Sequence, residues 1–323
     1  MAKERIIWLD NLKAFLIMIV VLGHTILFTN HDGTGNVAYR IISSFWMPLF
    51  MFTSGFASYR TNVEWKLVKR RFFQLMIPFT VWSAILCAIN GTYHIEQMFL
   101  YPTQSVWFIF ALFFITFIHV LTIKVAARLK IKEELLVCIV AGLLWATQKV
   151  TKIDYFCFGL ISYHFVFYSL GFYARKYYTK VISLKPVWYY IMTIVFFVMA
   201  FFRHESYLAI IHLPSSLYII YDALCALMSL APFVYFFGKY ADKPMKITQV
   251  GEGTFGVYVF HIAIYTLLIR IASDLCIDTG SYLSYTLYVL IFWQFVFWIS
   301  YLLTILTDRT KYLSILLLGK KCA

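Results

Sequence analysis

Of the 323 residues, 62% are apolar and 13% charged, against about 45–50% and about 25% in ordinary water-soluble domains. That balance excludes water as the main solvent, and apolar runs that recur along the whole length predict an all-α integral membrane bundle rather than a row of globular domains. The formal net charge of +13 would fit a nucleic-acid partner if the cations formed one basic surface, but the elements distribute them otherwise.

The first apolar run, 6–28, follows Lys3 and Arg5 as a signal peptide would. Asp10 and Lys13 interrupt it and no small-residue cleavage site follows, so it reads as a retained span. Further spans are predicted at 41–59, 72–90, 104–124, 134–150, 155–173, 187–202, 216–238, 254–274 and 283–306, about ten transmembrane helices in a single domain over 1–323. With the N-terminus in the cytoplasm, the inner segments hold 22 of the 28 Lys and Arg residues. The outer ones hold Arg40, Lys149, Lys152 and Arg203, while Lys13 and Arg270 fall within spans. The positive-inside rule then puts both termini in the cytoplasm, and it accounts for the basic composition without nucleic acid. The six cysteines (Cys87, Cys138, Cys157, Cys225, Cys276 and Cys322) are scattered without a C-x-x-C pair. Neither a metal site nor a disulfide framework is expected.

A charged side chain within a span costs about 2.5–3.5 kcal/mol on insertion scales and marks a candidate site. Asp10 and Lys13 stand three apart on the first span and can pair, either setting its depth or serving a site. His24, in Val-Leu-Gly-His-Thr, lies about 27 Å of helix beyond Ile6, close to the outer face. Its imidazole can take a proton from a hydroxyl and return it to a leaving thiolate, or it can simply cap a helix end. In the second span Pro48, Ser54 and Gly55 are packing features.

The densest basic cluster follows, Lys66, Lys69, Arg70 and Arg71, before Phe72 to Pro78. Its position favours an anionic-lipid contact, with a phosphate-bearing donor held at the cytoplasmic face as the sharper alternative. Trp107 reads as an interfacial anchor and His261 as a hydrogen bond within the bundle. His94, His119, His164, His204 and His212 read as loop or span-end residues, and neither H-E-x-x-H, G-x-S-x-G nor a nucleotide-binding Gly loop is present.

Taken in order, Trp8-Leu-Asp10-Asn-Leu-Lys13-Ala with His24, Met47-Pro-Leu-Phe-Met-Phe-Thr-Ser-Gly55-Phe, the basic run ending at Pro78, Trp107-Phe-Ile-Phe-Ala-Leu and Gly256-Val-Tyr-Val-Phe-His261 carry a resemblance. The chain resembles the bacterial membrane-bound acyltransferase 3 family, in its fucose 4-O-acetylase-like, surface-polysaccharide O-acetyltransferase branch. The resemblance spans the full length. It implies transfer of an acetyl group from acetyl-CoA, a substrate rather than a bound cofactor, to a hydroxyl of a surface glycan or its lipid-linked precursor in the bacterial cytoplasmic membrane.

In that setting His24 stands at the catalytic histidine, acting as general base or as nucleophile. Asp10 is the candidate that orients a cation or the donor, although about 21 Å of helix keeps it out of a same-helix triad with His24. Lys13, Lys69, Arg70 and Arg71 are the expected donor-binding cations, and Ser54, Trp107 and His261 the expected substrate contacts. Three positions depart from the family pattern. Lys13 replaces a frequent Arg, Gln74 replaces the second Arg of Arg-x-x-Arg, and Trp46 stands where the branch often has His. The rival readings are a transporter or flippase of a glycan intermediate, and a membrane sensor or scaffold.

Overall fold

A bilayer core offers the backbone no water to bond, so a spanning chain must satisfy its own N–H and C=O groups, and helix is the only regular structure among the described residues. The computed structural model describes residues 5–30, 32, 34–61, 63–92, 94–183, 185–203, 215–272, 275–276 and 281–320. Lys3, His204, His212 and Cys322 lie outside the described residues.

The helices are α1 (Ile7–Thr29), α2 (Val37–Ser58), α3 (Trp65–Arg71), α4 (Ile77–Asn90), α5 (Ile95–Leu100), α6 (Trp107–Leu129), α7 (Glu133–Thr151) and α8 (Phe158–Lys176). Then come α9 (Tyr178–Ile182), α10 (Pro186–Phe201), α11 (Ser215–Tyr240), α12 (Thr248–Glu252), α13 (Thr254–Ala272), α14 (Tyr282–Asp308) and α15 (Lys311–Leu318). Among the described residues nine helices, counting Trp65–Asn90 as one, are long and apolar enough to cross a membrane, and α10 is a shorter tenth. The chain is a multi-pass membrane protein, and the order of spans follows the hydropathy.

The second span begins at Val37 instead of 41 and the fourth ends at Leu129 instead of 124, and the largest difference lies in the third. The third span begins at Trp65 instead of 72, because the basic run is itself helical. Val63 and Leu67 are buried with Val120, Ile123 and Phe172, so one apolar side docks this segment although its other faces are charged.

Contacts cluster into two compact units, the first from the N-terminal segment to Phe50 with Tyr177–Leu303, the second Met51–Lys176 with the residues from Thr304 onward. In the first unit α1 is enclosed by α11, α12 and α13, and Leu12, Leu16, Ile17, Val20 and Val21 lose nearly all exposure. The Trp293 indole on α14 donates to the Met18 carbonyl at 3.0 Å, fixing α14 on α1. In the second unit α2 and α8 meet backbone to backbone. A Cβ on Gly55 would land on the Tyr168 carbonyl, and one on Gly171 on that of Phe52. Small residues let helices approach this closely where the hydrophobic effect cannot drive them together.

His119 and His164 correct the expectation of span-end residues: both are buried inside helices of the second unit. His119 Nδ1 lies 3.0 Å from Ser169 Oγ, with the Phe172 ring 4.8 Å away. The Ser169 hydroxyl from α8 meets one ring nitrogen of His119, while His119 Nε2 and His164 Nδ1 are buried without a hydrogen-bond partner among the described residues.

Candidate active site

Gly23 precedes His24 on α1, and the Trp46 indole from α2 fills the space that a Cβ at Gly23 would take. The indole thereby lies against the His24 imidazole, with ring centroids 5.1 Å apart, and Tyr39 meets it edge-on at 5.9 Å. Trp46, standing where a second histidine was expected, thus gives His24 an apolar neighbour.

His261 on α13 completes the arrangement. Its Nδ1 is 2.9 Å from the Val257 carbonyl, and since a carbonyl only accepts, Nδ1 carries the proton. Neutral imidazole protonated there has Nε2 as an acceptor, and this atom is 3.0 Å from His24 Nδ1. His24 therefore donates through Nδ1, and its own Nε2 keeps the lone pair. His261 is fully buried whereas His24 is partly exposed, so the free lone pair belongs to the less enclosed imidazole of the two. One turn beyond His261, the Tyr265 hydroxyl bonds that of Thr25, which donates to the Val21 carbonyl. That link locks the register of α13 on α1 beside the pair.

At the other end of α1, Asp10 accepts from Lys13 Nζ at 3.2 Å and from Arg5 Nε at 3.0 Å, and Arg5 also pairs with Glu252. Buried Asn11 donates to the carbonyls of Ala241 and Lys243 at 2.7 and 3.0 Å and accepts from Thr248. The structure thus brings His24 and His261 together and keeps Asp10 and Lys13 with each other, in a polar clasp that ties the start of α1 to the loop before α12.

In the second unit, α3 carries Lys66, Lys69 and Arg70 beside the docked Leu67. With Arg60 and Lys320 they line a cavity of about 650 Å³ in which Glu64 is the one lining carboxylate among the described residues. Burial, and then the nearby charge of Arg70, hold the Arg60 pKa below the ordinary guanidinium value. The Arg70 Nε is buried and has no hydrogen-bond partner among the described residues. The cavity lining thus holds more cations than carboxylates. Arg71 does not line the cavity: its Nε is likewise buried without a hydrogen-bond partner among the described residues, while its Nη2 donates to Ser58 Oγ at 3.1 Å, and Ser58 donates to the Ser54 carbonyl at 2.7 Å.

Gln74 also lines this cavity, within a π-helical turn over Phe72–Met76. Pro78 has no N–H for the carbonyl four residues back, that of Gln74. Gly319 approaches that carbonyl so closely that a Cβ would overlap it, and its φ of +63° is left-handed. Gly319 caps α15, so this contact seats the C-terminal helix on the cavity wall. The Trp82 indole reinforces the seat by donating to the Leu317 carbonyl at 3.0 Å. Trp107, at the first position of α6, stacks on His164 at 5.5 Å.

A family model described as an acyltransferase domain matches residues 6–307. The chain belongs to the acyltransferase 3 family. It is 27% identical to the nodulation protein NolL of Mesorhizobium japonicum over 179 residues, 50% of this chain and 46% of that protein. It is 35% identical to the nodulation protein NolL of Sinorhizobium fredii over 92 residues, 26% of this chain and 25% of that one. The matches therefore span about half and a quarter of those relatives. No solved structure matches.

Beside these expected positions stands one that the sequence reading passed over. Asp222 on α11 accepts from Arg203 Nε and Nη2 at 2.7 and 3.3 Å, and Arg203 Nη1 donates to Ser43 at 2.8 Å. An aspartate inside a predicted span was the available signal, of the same kind as Asp10.

Proposed function

We propose that this acyltransferase moves an acetyl group from acetyl-CoA to a hydroxyl of a surface glycan or its lipid-linked precursor, with His24 as general base. One observation carries the reading: the chain from the Val257 carbonyl through His261 to His24 leaves His24 Nε2 as an unprotonated base. The acceptor hydroxyl gives its proton to Nε2 as its oxygen bonds to the thioester carbonyl carbon. The C–S bond then breaks, and the same proton passes to the leaving thiolate, which restores the starting tautomer. His261 accepts from His24 Nδ1 throughout, holding the ring in orientation and favouring the imidazolium that forms transiently.

On the donor side, Lys69 and Arg70 hold phosphates in the basic cavity, where a charge-assisted bond to Arg70 meets its unpartnered Nε. Lys13 and Arg71 take no donor contact in this reading, because Asp10 engages Lys13 and Arg71 does not line the cavity. Asp10 serves the clasp on α1, away from proton transfer.

The test is transfer of radiolabelled acetyl from acetyl-CoA in membranes holding wild type or His24→Ala at equal expression, with extracted surface glycans as acceptors. Label entering glycan with wild type alone is the expected result. Undiminished transfer by the variant overturns the role of His24. A covalently labelled protein trapped before acceptor is added would replace general-base transfer by an acyl-imidazole route.

A further inference from the structure

Among the described residues five cations line the cavity of the second unit, Arg60, Lys66, Lys69, Arg70 and Lys320, against the one carboxylate of Glu64. A diphosphate alone carries about two negative charges, and a phosphate monoester adds nearly two more at neutral pH. The lining therefore exceeds what a diphosphate neutralises and matches a diphosphate with a separate phosphate. Phe73, half exposed, and Ile77 and Ile315 add apolar wall against which a nucleobase can lie.

Lys320 differs from the other four in origin and in attachment. They come from 60–70, whereas it follows the cap of α15, and the Gly319–Gln74 approach and the Trp82–Leu317 bond hold that cap in place. Its Nζ is 2.6 Å from Asp308 Oδ2, and both side chains are more than two-fifths exposed. An exposed pair of this kind contributes little stability, so its ammonium can exchange the carboxylate for a dianion at small cost.

Resting on the proposed acetyl-CoA donor, we infer that Lys320 is a donor-binding residue that reads the 3′-phosphate of coenzyme A, completing from the C-terminal side a site whose diphosphate contacts come from α3. Lys320 thus sets specificity for the phosphorylated over the dephosphorylated nucleotide. An anionic lipid headgroup presents the same phosphate chemistry, so lipid composition is an arm of the test.

The experiment measures equilibrium binding of coenzyme A and of 3′-dephospho-coenzyme A to the full chain in phosphatidylcholine nanodiscs, for wild type, Lys320→Ala and Lys320→Arg. Loss of one charge-assisted phosphate contact predicts about tenfold weaker binding of coenzyme A by Lys320→Ala. Dephospho-coenzyme A binding stays unchanged and Lys320→Arg stays close to wild type. Equal losses for both nucleotides, or none for either, overturn the assignment of Lys320 and leave the donor cavity standing. Wild type that binds neither nucleotide overturns the donor reading itself. A Lys320→Ala effect that appears only when phosphatidylglycerol replaces phosphatidylcholine assigns the cation to lipid and also overturns the inference.

Discussion

A backbone carbonyl, not a carboxylate, sets the tautomer of the histidine pair, so the apparatus that orients His24 adds no charge to the bundle. A buried carboxylate in the same place would bring a desolvation cost of several kcal/mol. The arrangement makes acceptance by His261 Nε2 the property that counts. His261→Phe keeps an aromatic ring but removes the acceptor, freeing the His24 ring to turn or to move its proton to Nε2. The kcat should fall by about 10²–10⁴, the usual worth of a positioned general base, with the KM for acetyl-CoA unchanged. His261→Gln, whose side-chain oxygen can still accept from Nδ1, should keep most of the rate. Equal losses in the two variants, read from steady-state kinetics, would assign His261 to packing alone.

Helix crossings in the second unit depend on which glycines face a neighbour. Gly55→Val would drive a branched side chain into the Tyr168 carbonyl, and overpacking of this kind costs about 1–3 kcal/mol. Gly142 on α7 has open space where its Cβ would be, and a mid-helix Gly→Ala change there should stabilise by about 0.5–1 kcal/mol. Thermal unfolding in detergent checks both, with the midpoint falling for Gly55→Val and rising for Gly142→Ala. The two glycines look alike in sequence because the difference lies in what faces them. The spans were legible because an apolar run long enough to cross a bilayer is a local property, and even the short α10 was visible that way. The start of the third span was not, since hydropathy fades over Lys66–Arg71 while the helix continues with Val63 and Leu67 inward. The chemistry divides similarly. His24 could be singled out as polarity within a span, but its bond to His261 joins positions 237 apart, and the bond of His119 to Ser169 joins positions 50 apart. No local pattern encodes such pairings.

Charge asymmetry acts on the molecule as a whole, and it yields a test of orientation that is independent of the chemistry. If the 22 Lys and Arg residues counted on one side face the cytoplasm, the basic cavity opens where acetyl-CoA is made, and both termini lie on that side. Arg309 and Lys152, both exposed, stand on opposite sides in this scheme. In a background with the six native cysteines replaced, Lys152→Cys should react with a membrane-impermeant maleimide in cells whose cytoplasmic membrane is intact, and Arg309→Cys only after permeabilisation. The reverse pattern would put the cavity outside and remove acetyl-CoA as its natural occupant. The same concentration of charge predicts a salt effect. Five cations around one carboxylate attract a polyanion over distances that screening shortens from about 10 Å at 0.1 M salt to about 3 Å at 1 M. The KM for acetyl-CoA should therefore rise with ionic strength while kcat, set at the neutral histidine pair, stays level. A kcat that fell in parallel would instead point to salt acting on the fold.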